Sequence, residues 1–185
     1  GVEDLRIRRR AKLLPVNSAN PLFDYDPNKC VLCGRCVRAC WEMRGVGVLY
    51  YKKLGAEFHT YTSGGALLAD SGCRFCGACA EVCPTGAIQD KEGLVQGDNR
   101  KAALVPCKSS CPAEIDVPRY VRLVKEGDYP GAAAVIREKV PLPWVLGYVC
   151  DHPCETGCRR GEVNEPIAIR ELKRYAAEHD DAGLW

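Results

Sequence analysis

The sequence is poor in the large apolar residues that fill a protein core. Its 185 residues include one methionine, three phenylalanines and three tryptophans, so hydrophobic packing alone predicts a modest stability. Its charges nearly cancel, with 26 Lys and Arg against 24 Asp and Glu, which excludes a strong overall attraction to nucleic acid or anionic lipid. No stretch approaches the roughly 20 apolar residues of a membrane-spanning helix.

Familiar nucleotide and export motifs are also absent. No Gly-x-Gly-x-x-Gly follows a predicted strand and no Gly-x-x-x-x-Gly-Lys-Ser/Thr occurs, which excludes the common dinucleotide and P-loop sites. The basic stretch from Arg6 to Lys12 is followed by Pro15 and Asn17, where a signal peptide would need an apolar run. We therefore expect a cytoplasmic protein kept reduced, with the basic stretch as a docking surface or a solvated arm.

Cysteine is what the sequence has in excess. Eight of the thirteen cysteines form two runs with the spacing Cys-x-x-Cys-x-x-Cys-x-x-x-Cys, which is the spacing of a two-cluster bacterial ferredoxin. In such proteins three cysteines of a run bind one [4Fe–4S] cluster and the fourth binds the other cluster. The predicted ligands of the first cluster are Cys30, Cys33, Cys36 and Cys83. Those of the second are Cys73, Cys76, Cys79 and Cys40.

Disulfides or structural zinc would be the alternative uses of so many cysteines. Disulfides suit secreted proteins, and zinc usually takes paired Cys-x-x-Cys knuckles instead of two identical four-cysteine runs. Gly34 and Gly77 follow the second cysteine of each run, where the backbone must pass close to inorganic sulfur. Because clusters would stabilise a chain with little core, we expect the metal-free chain to be poorly folded.

The order of elements predicts an α+β fold in four parts. These are an N-terminal arm of turns (1–27), a ferredoxin-like domain with an inserted β-hairpin (28–90), a polar linker (91–106) and a small helical domain (107–185). Apolar residues on both sides of Lys52 to Gly55 predict the hairpin, and a short helix is expected at 66–70. In the last part, caps and apolar spacing predict helices from Asp116 to Gly127, from Asp128 to Pro141 and over 167–178.

Five cysteines remain outside the two runs. They are Cys107, Cys111, Cys150, Cys154 and Cys158. Pro153 and Gly157 favour a loop around a cofactor over a helix for the last three. Five thiols suffice for one further cubane cluster, with one cysteine to spare. His152, between two of these cysteines, is either a packing residue or a hydrogen-bond donor to a cluster sulfur.

Two family resemblances extend these inferences. Residues 20–90 resemble the two-cluster segment of the large iron–sulfur subunits of complex I-like enzymes, [FeFe] hydrogenases and NAD-linked formate dehydrogenases. The motifs that carry this resemblance are Asn20-Pro21-Leu22-Phe23, Asp26-Pro27-Asn28-Lys29-Cys30 and Asp70-Ser71-Gly72-Cys73. The second half resembles the N-terminal iron–sulfur domain of the glutamate synthase small subunit and of dihydropyrimidine dehydrogenase, through Cys111-Pro112, Val149-Cys150 and Asn164-Glu165-Pro166.

The chain departs from these families in three ways. The Cys-x-x-Cys that opens the glutamate synthase-type domain is missing, so one of its two clusters has lost two ligands. For the other, the resemblance implies Cys111, Cys150 and Cys154, but Lys173 stands where the family has a ligating Glu or Gln. The fourth ligand of this third cluster is then Cys158, with Cys107 as the alternative. Finally, Trp41 follows Cys40 in place of the usual proline and is expected to shield that cluster edge.

The sequence thus predicts an electron-transfer subunit with three [4Fe–4S] clusters and no catalytic site of its own. Its expected partners are a catalytic oxidoreductase subunit, of tungsten or molybdenum, flavin or hydrogenase type, and a further electron-transfer subunit. The size and cluster count resemble the small subunit of tungsten-dependent benzoyl-CoA reductase. One alternative is the front part of a longer flavin and NAD(P)H-dependent enzyme, and another is a structural zinc module.

Overall fold

The computed structural model describes residues 14–54, 57–62, 67–93 and 104–180. The basic stretch from Arg6 to Lys12, the Gly64-Gly65 loop and most of the predicted linker lie outside these residues. The described part combines short helices with two small antiparallel sheets. None of its helices is long and apolar enough to cross a membrane.

The first sheet joins the beginning and the end of the ferredoxin-like half. Strand β1 (Phe23–Tyr25) pairs antiparallel with β4 (Ile88–Asp90), with Phe23 opposite Asp90. An Asn17 bridge to Tyr25 extends this sheet. The expectation that residues 1–27 hold only turns was wrong here, because a three-residue strand is too short to show alternation and depends on a partner distant in sequence.

The second sheet is the predicted hairpin. Strand β2 (Leu49–Leu54) pairs with β3 (Glu57–Thr62), and Leu54 lies opposite Glu57. The hairpin is confirmed, but residues 52–54, which we expected in the turn, belong to the strand. Two residues then connect the strands, which is the commonest length for a β-hairpin.

Short helices carry the cysteine runs. Helix α1 (Arg35–Arg38) and helix α2 (Ala78–Glu81) begin directly after Gly34 and Gly77. A π-helical turn (Ala39–Met43) continues α1, with the Arg44 amide donating to the Ala39 carbonyl at 3.1 Å. Two 3₁₀ turns complete this half, at Pro27–Lys29 and Leu68–Asp70; the second stands where we expected a short helix.

The second half is helical, as predicted. Its helices are α3 (Pro106–Ser109), α4 (Val117–Glu126), α5 (Tyr129–Arg137), α6 (Pro143–Val149), α7 (Pro153–Thr156) and α8 (Ile169–Glu178). Asp116 and Asp128 accept capping hydrogen bonds at α4 and α5, and Gly127 ends α4 in a left-handed conformation, as their sequence signals indicated. The expected loop at Cys150 to Cys158 instead contains α7, followed by a 3₁₀ turn at Arg159–Glu162.

The core of the helical half lies between α4, α5 and α8. Tyr120 of α4 is 1% exposed, and its hydroxyl donates to the Ile169 carbonyl of α8 at 3.0 Å. Ala132, Ile136 and Ala176 are fully buried beside it. Cys154 belongs to this core, and Cys107 and Cys111 pack against it. The helical core therefore fixes the position of three of the five remaining cysteines.

Three arginines join the two halves. Arg159 is 4% exposed and forms a 2.5 Å ion pair with Asp90 of β4. Arg160 donates to the carbonyls of Cys73 and Ala69, both at 2.7 Å. Arg122 of α4 donates to the Glu42 carbonyl at 3.2 Å. The helical half therefore packs against the ferredoxin-like half at the second cysteine run, at β4 and at the turn that follows the first run.

Candidate iron–sulfur sites

The two cysteine runs adopt the same backbone turn. Leu32 and Phe75, which precede the second cysteine of each run, have φ of 54° and 50°. Gly34 and Gly77, which follow that cysteine, have φ of 76° and 79°. Left-handed backbone at a residue with a side chain is unfavourable and is concentrated at functional sites. The repeated turn therefore supports a common ligand role.

The same strain marks the later cysteines. Val105 and His152 have φ of 60° and 46°, and each precedes a Pro-Cys pair that opens a short helix. Sequence reasoning identified these cysteines but missed the constrained residue before each pair. The repeated Pro-Cys pair was the available signal, because proline restricts the conformation of the residue before it.

The first site brings together the four cysteines predicted for it. Cys30, Cys33, Cys36 and Cys83 line one cavity with about 330 Å³ of empty space, including its opening to solvent. Cys33 is exposed and Cys36 is buried. Four thiols from both runs around one cavity fit a [4Fe–4S] cluster, in which each cysteine binds a different iron. In the described residues no three such side chains converge on a site for a single metal ion.

Tyr51 lies beside the first site. Its hydroxyl donates to the Leu32 carbonyl at 3.3 Å, and a side chain at Gly34 would clash with that hydroxyl. Burial, together with the neighbouring thiolate charges of Cys36, Cys33 and Cys30, raises the pKa of Tyr51. Tyr51 is therefore a neutral hydrogen-bond donor at this site, a role that the sequence reasoning missed.

Cys83 reaches the first site from the second run. Burial acts to raise the pKa of its thiol, but hydrogen bonds from the amides of Ile88 and Thr85 outweigh burial and lower it. These donors favour the thiolate, which is the form that binds metal. The surroundings of Cys83 thus favour a metal-binding thiolate, and its assignment to the first cluster stays a prediction.

The second site gathers the other four cysteines. Burial raises the pKa of Cys73 to about 12, and the thiolate charges of Cys76 and Cys40 add to the shift. The pKa of Cys79 is also raised, by burial and then by Cys73, Cys76 and Cys40. The charge of Cys40 of the first run thus acts on the thiols of the second run, and its role as a ligand of the second cluster stays a prediction. Buried thiols with raised pKa values would be protonated without metal. Bound iron keeps them as thiolates, so the group fits a cluster site.

Backbone amides donate to sulfur at the second and third sites. Val48 donates to Cys40 Sγ and Phe75 donates to Cys73 Sγ, both at 3.4 Å. The His152 amide donates to Cys150 Sγ, also at 3.4 Å. Such donors stabilise ligating thiolates and tune the metal site. His152 thus contacts sulfur through its backbone amide, at Cys150, and a contact of its ring with a cluster sulfur stays a prediction.

Arginines surround the second site. Burial lowers the pKa of Arg74, although the thiolate charges of Cys76 and Cys107 oppose that shift. Arg44 also lies near Cys76, and its Nε is buried without a hydrogen-bond partner in the described part of the chain. Both guanidinium groups line a cavity with Cys76. Sequence reasoning assigned no role to these residues.

The third group of cysteines is centred on Cys154. Burial raises the pKa of its thiol to about 11, and the charges of Cys111, Glu155 and Cys150 add to the shift, while Lys173 opposes it. The three cysteines that the family resemblance implied therefore lie together. Lys173 lies near Cys154 as well.

Cys107 and Cys158 lie next to each other. Burial raises the pKa of Cys107 to about 12, with Cys158 and then Cys154 as the largest charge contributions. Both cysteines line the cavity of about 510 Å³ of empty space that also includes Cys76, Arg44 and Arg74. The choice of Cys158 over Cys107 as the fourth ligand stays a prediction, because both cysteines face the same space.

Trp41 packs on the hairpin side of its helix. Its Nε1 donates to the Leu49 carbonyl at 2.8 Å, and its ring lies edge-on to Tyr50 with the centroids 5.1 Å apart. The indole is 46% exposed. Its shielding of a cluster edge stays a prediction.

Comparisons with known proteins now identify the two halves. Residues 29–87 match the family model of the 4Fe–4S dicluster domain, and residues 100–183 match that of dihydropyrimidine dehydrogenase domain II, 4Fe–4S cluster. Each half therefore matches an iron–sulfur domain of known proteins. The first match spans the eight cysteines of the two runs, and the second spans the remaining five.

Curated relatives carry oxidoreductase names. The chain is 51% identical over 75 residues to the beta subunit of NADP(+)-dependent formate dehydrogenase from Moorella thermoacetica. It is 45% identical over 75 residues to the beta subunit of NADPH-Fe(3+) oxidoreductase from Geobacter sulfurreducens. The NAD-dependent dihydropyrimidine dehydrogenase subunit PreT of Escherichia coli is 35% identical over 77 residues. Each match covers 40% of this chain, but only 11%, 11% and 19% of the respective relatives.

Proposed function

We propose that the chain is an electron-transfer subunit that holds three [4Fe–4S] clusters and serves a catalytic oxidoreductase subunit. The proposed ligands are Cys30, Cys33, Cys36 and Cys83 for the first cluster; Cys73, Cys76, Cys79 and Cys40 for the second; and Cys111, Cys150, Cys154 and Cys158 for the third, with Cys107 as the alternative to Cys158. Each cluster, when bound, supplies a one-electron redox couple.

The cavity lined by Cys30, Cys33, Cys36 and Cys83 is the observation that carries this proposal. A zinc knuckle or a disulfide pair would not require a cysteine from the other run, whereas the ferredoxin arrangement does. The environment of Cys40 supports the reciprocal crossing at the second site. A structural zinc module is therefore the weaker explanation of these cysteines.

The chain's residues would give the sites different roles. At the first site, Cys33 and its neighbours Val31 and Leu32 are exposed, so a partner can approach this site closely. At the second site, Arg44 and Arg74 lie near Cys76 and none of the four cysteines is exposed. At the third site, Cys154 lies in the helical core. This graded exposure suits a subunit that receives electrons at its surface and holds them inside.

The catalytic partner is proposed from the relatives alone. Their names favour an NAD(P)-linked oxidoreductase over the tungsten-dependent benzoyl-CoA reductase that the cluster count suggested. Since the aligned stretch is about a tenth of the first two relatives, the partner is either a separate subunit or a further part of the same polypeptide. In the second case, the same three sites would lie in the N-terminal part of a longer flavin and NAD(P)H-dependent enzyme.

Anaerobic purification of the native protein from its source tests this proposal. We expect an iron–sulfur absorption band, about twelve irons and twelve sulfides per chain, and a co-purifying oxidoreductase subunit or a polypeptide longer than 185 residues. Stoichiometric zinc without labile sulfide would overturn the iron–sulfur assignment. Finding only about eight irons would remove the third cluster.

A further inference from the structure

The mouth of the first site carries exposed apolar side chains. Cys33 is exposed at this opening, and Val31 and Leu32 directly before it are 62% and 42% exposed. Tyr51 of β2 is exposed as well, and its hydroxyl donates to the Leu32 carbonyl at 3.3 Å. Grouped apolar side chains at a surface mark interaction sites, whereas single ones need no explanation. We call Val31, Leu32 and Tyr51 the apolar mouth.

An open groove adjoins the first-site cavity. It holds about 870 Å³ of empty space, including its opening to solvent, and lies between α1 and the end of α2. Cys83 lines both this groove and the first-site cavity, so the two spaces meet at a proposed cluster ligand. Arg35 and Arg38 of α1 and the exposed Met43 also line the groove. A partner that covers the apolar mouth can therefore contact the groove as well.

Arg35 and Arg38 are exposed cations within the first cysteine run. Neither forms an ion pair with a carboxylate of the described residues. Lys29, which directly precedes the same run, is instead paired, with its Nζ 3.5 Å from the Asp26 carboxylate. The two arginines are therefore the cations beside this site that are left to bind an external anion.

Two carboxylates also line the groove. Glu81 already interacts within the chain, and Glu42 is exposed one turn after Arg38. In the described part of the chain no ion pair joins Glu42 to Arg35 or to Arg38. With Glu81 engaged, the groove presents two positive charges and one negative charge to solvent. Its excess charge is positive, so an acidic surface complements it better than a basic one.

We propose that the apolar mouth, together with Arg35 and Arg38, is the docking site of a small one-electron carrier protein with an acidic face. Carboxylates of the carrier pair with the two arginines, while its apolar centre covers Val31 and Leu32, as in interfaces with an apolar core and a polar rim. On docking, the carrier loses one electron and the chain gains one, and no bond is made or broken. This inference rests on the proposed electron-transfer function of the first site.

The test uses the full chain loaded anaerobically and measures, by stopped flow, how fast two low-potential reductants reduce it. One is a reduced acidic two-cluster ferredoxin, and the other is the methyl viologen radical cation. The double variant Arg35→Gln/Arg38→Gln removes two charges, and Arg35→Lys/Arg38→Lys keeps them. Lys125→Gln/Lys139→Gln is the matched control, because both lysines are exposed and lie in the helical half. Iron content and sedimentation are measured for every protein.

We expect all four proteins to hold about twelve irons. At an ionic strength of about 0.01 M, the double glutamine variant should react with the ferredoxin about tenfold more slowly than the native chain. This difference should nearly vanish at about 1 M salt, because exposed charges are then screened. The double lysine variant and the matched control should keep most of the native rate. Methyl viologen should reduce no variant more slowly, because the arginines do not attract a cation.

Several results would overturn the inference. Equal ferredoxin rates for the native chain and the double glutamine variant would exclude docking at the arginines. Slower reduction by both reductants would mean an altered site instead of a lost contact, and equal slowing in the matched control would mean a response to net charge alone. A native chain that dimerises, with a monomeric double glutamine variant, would assign this surface to a second copy of the chain.

Two measurements on the native chain complete the test. Its rate with the ferredoxin must fall as salt is added, and a rate independent of salt overturns the inference even where the double glutamine variant does not load. A native chain that holds zinc and no labile sulfide would instead contradict the proposed function itself.

Discussion

The first and second cysteine runs share one spacing and one backbone turn, yet their surroundings differ. Leu32 of the first run is 42% exposed, whereas Phe75 at the equivalent position of the second run is fully buried. Phe75 stacks on Phe23, with the ring centroids 5.9 Å apart. The Arg160 guanidinium lies over the Phe75 ring, 5.7 Å from its centroid. A repeat therefore fixes the ligands, while the rest of the chain sets the exposure and charge of each site.

Contacts from the helical half contribute to this difference. Arg160 donates to the Cys73 carbonyl within the second run, whereas Arg122 contacts the first run only at the Glu42 carbonyl, in the turn after Cys40. The first site is therefore open to a partner and the second is enclosed. We make four predictions that would break or sharpen this comparison.

The largest effect is expected from the crossed ligands. Cys83→Ala should remove the first-site cluster and Cys40→Ala the second, with a loss of about four irons in each case. Anaerobic iron analysis and paramagnetic resonance of the remaining clusters distinguish them. If Cys83→Ala altered only the second-site cluster, the crossed arrangement would be wrong.

Breaking the ion pair between the halves comes next. Arg159→Ala leaves the buried Asp90 carboxylate unpaired, which should cost about 3–5 kcal/mol of stability. The control is Arg119→Ala, because Arg119 and Glu138 form a half-exposed pair at 2.7 Å that should contribute only about 0–1 kcal/mol. Anaerobic denaturant midpoints followed by visible absorption measure both. Equal midpoints for the two variants would mean that the halves do not depend on this pair.

Removing Arg160 should expose only the second site. Arg160→Ala loses three hydrogen bonds from a charged group, two of them to carbonyls of the ferredoxin-like half, each contributing about 1.5–3 kcal/mol, and uncovers the Phe75 ring. We expect a chelator to bleach the second-site cluster faster than in the native chain, while bleaching of the first is unchanged. Acceleration at both sites, or at neither, would argue against local coverage.

The local spacing of the cysteines predicted two equivalent runs, and the structure brings Cys83 into the cavity of the first run, while the crossing of the cluster ligands stays a prediction. The sequence also predicted the helix starts at Asp116 and Asp128, whose side chains cap their own helices. It could not predict the β1–β4 pair or the arginines around Cys76, because both depend on residues distant in sequence. The helix at Pro153–Thr156 was missed for another reason: proline suggested a loop, but it is well tolerated in the first turn of a helix.

The smallest effect is expected from single charges beside the two runs. Arg74 is half-buried near Cys76, whereas Arg35, in the first run, is exposed. Arg74→Gln should lower the midpoint potential of the second-site cluster, because lost positive charge destabilises the reduced form. Arg35→Gln should shift the first-site cluster less, since water and salt screen an exposed charge. The midpoint potentials are measured by redox titration followed by paramagnetic resonance. Equal shifts in the two variants would refute this prediction.

The central claim is that this chain holds three one-electron centres in a single molecule. Its most direct test is an anaerobic reductive titration of the fully loaded chain, with the electrons accepted per chain counted from the visible absorption. The account predicts about three electrons per chain. Saturation at about two electrons, with the two ferredoxin-type clusters reduced and no further uptake, would contradict it.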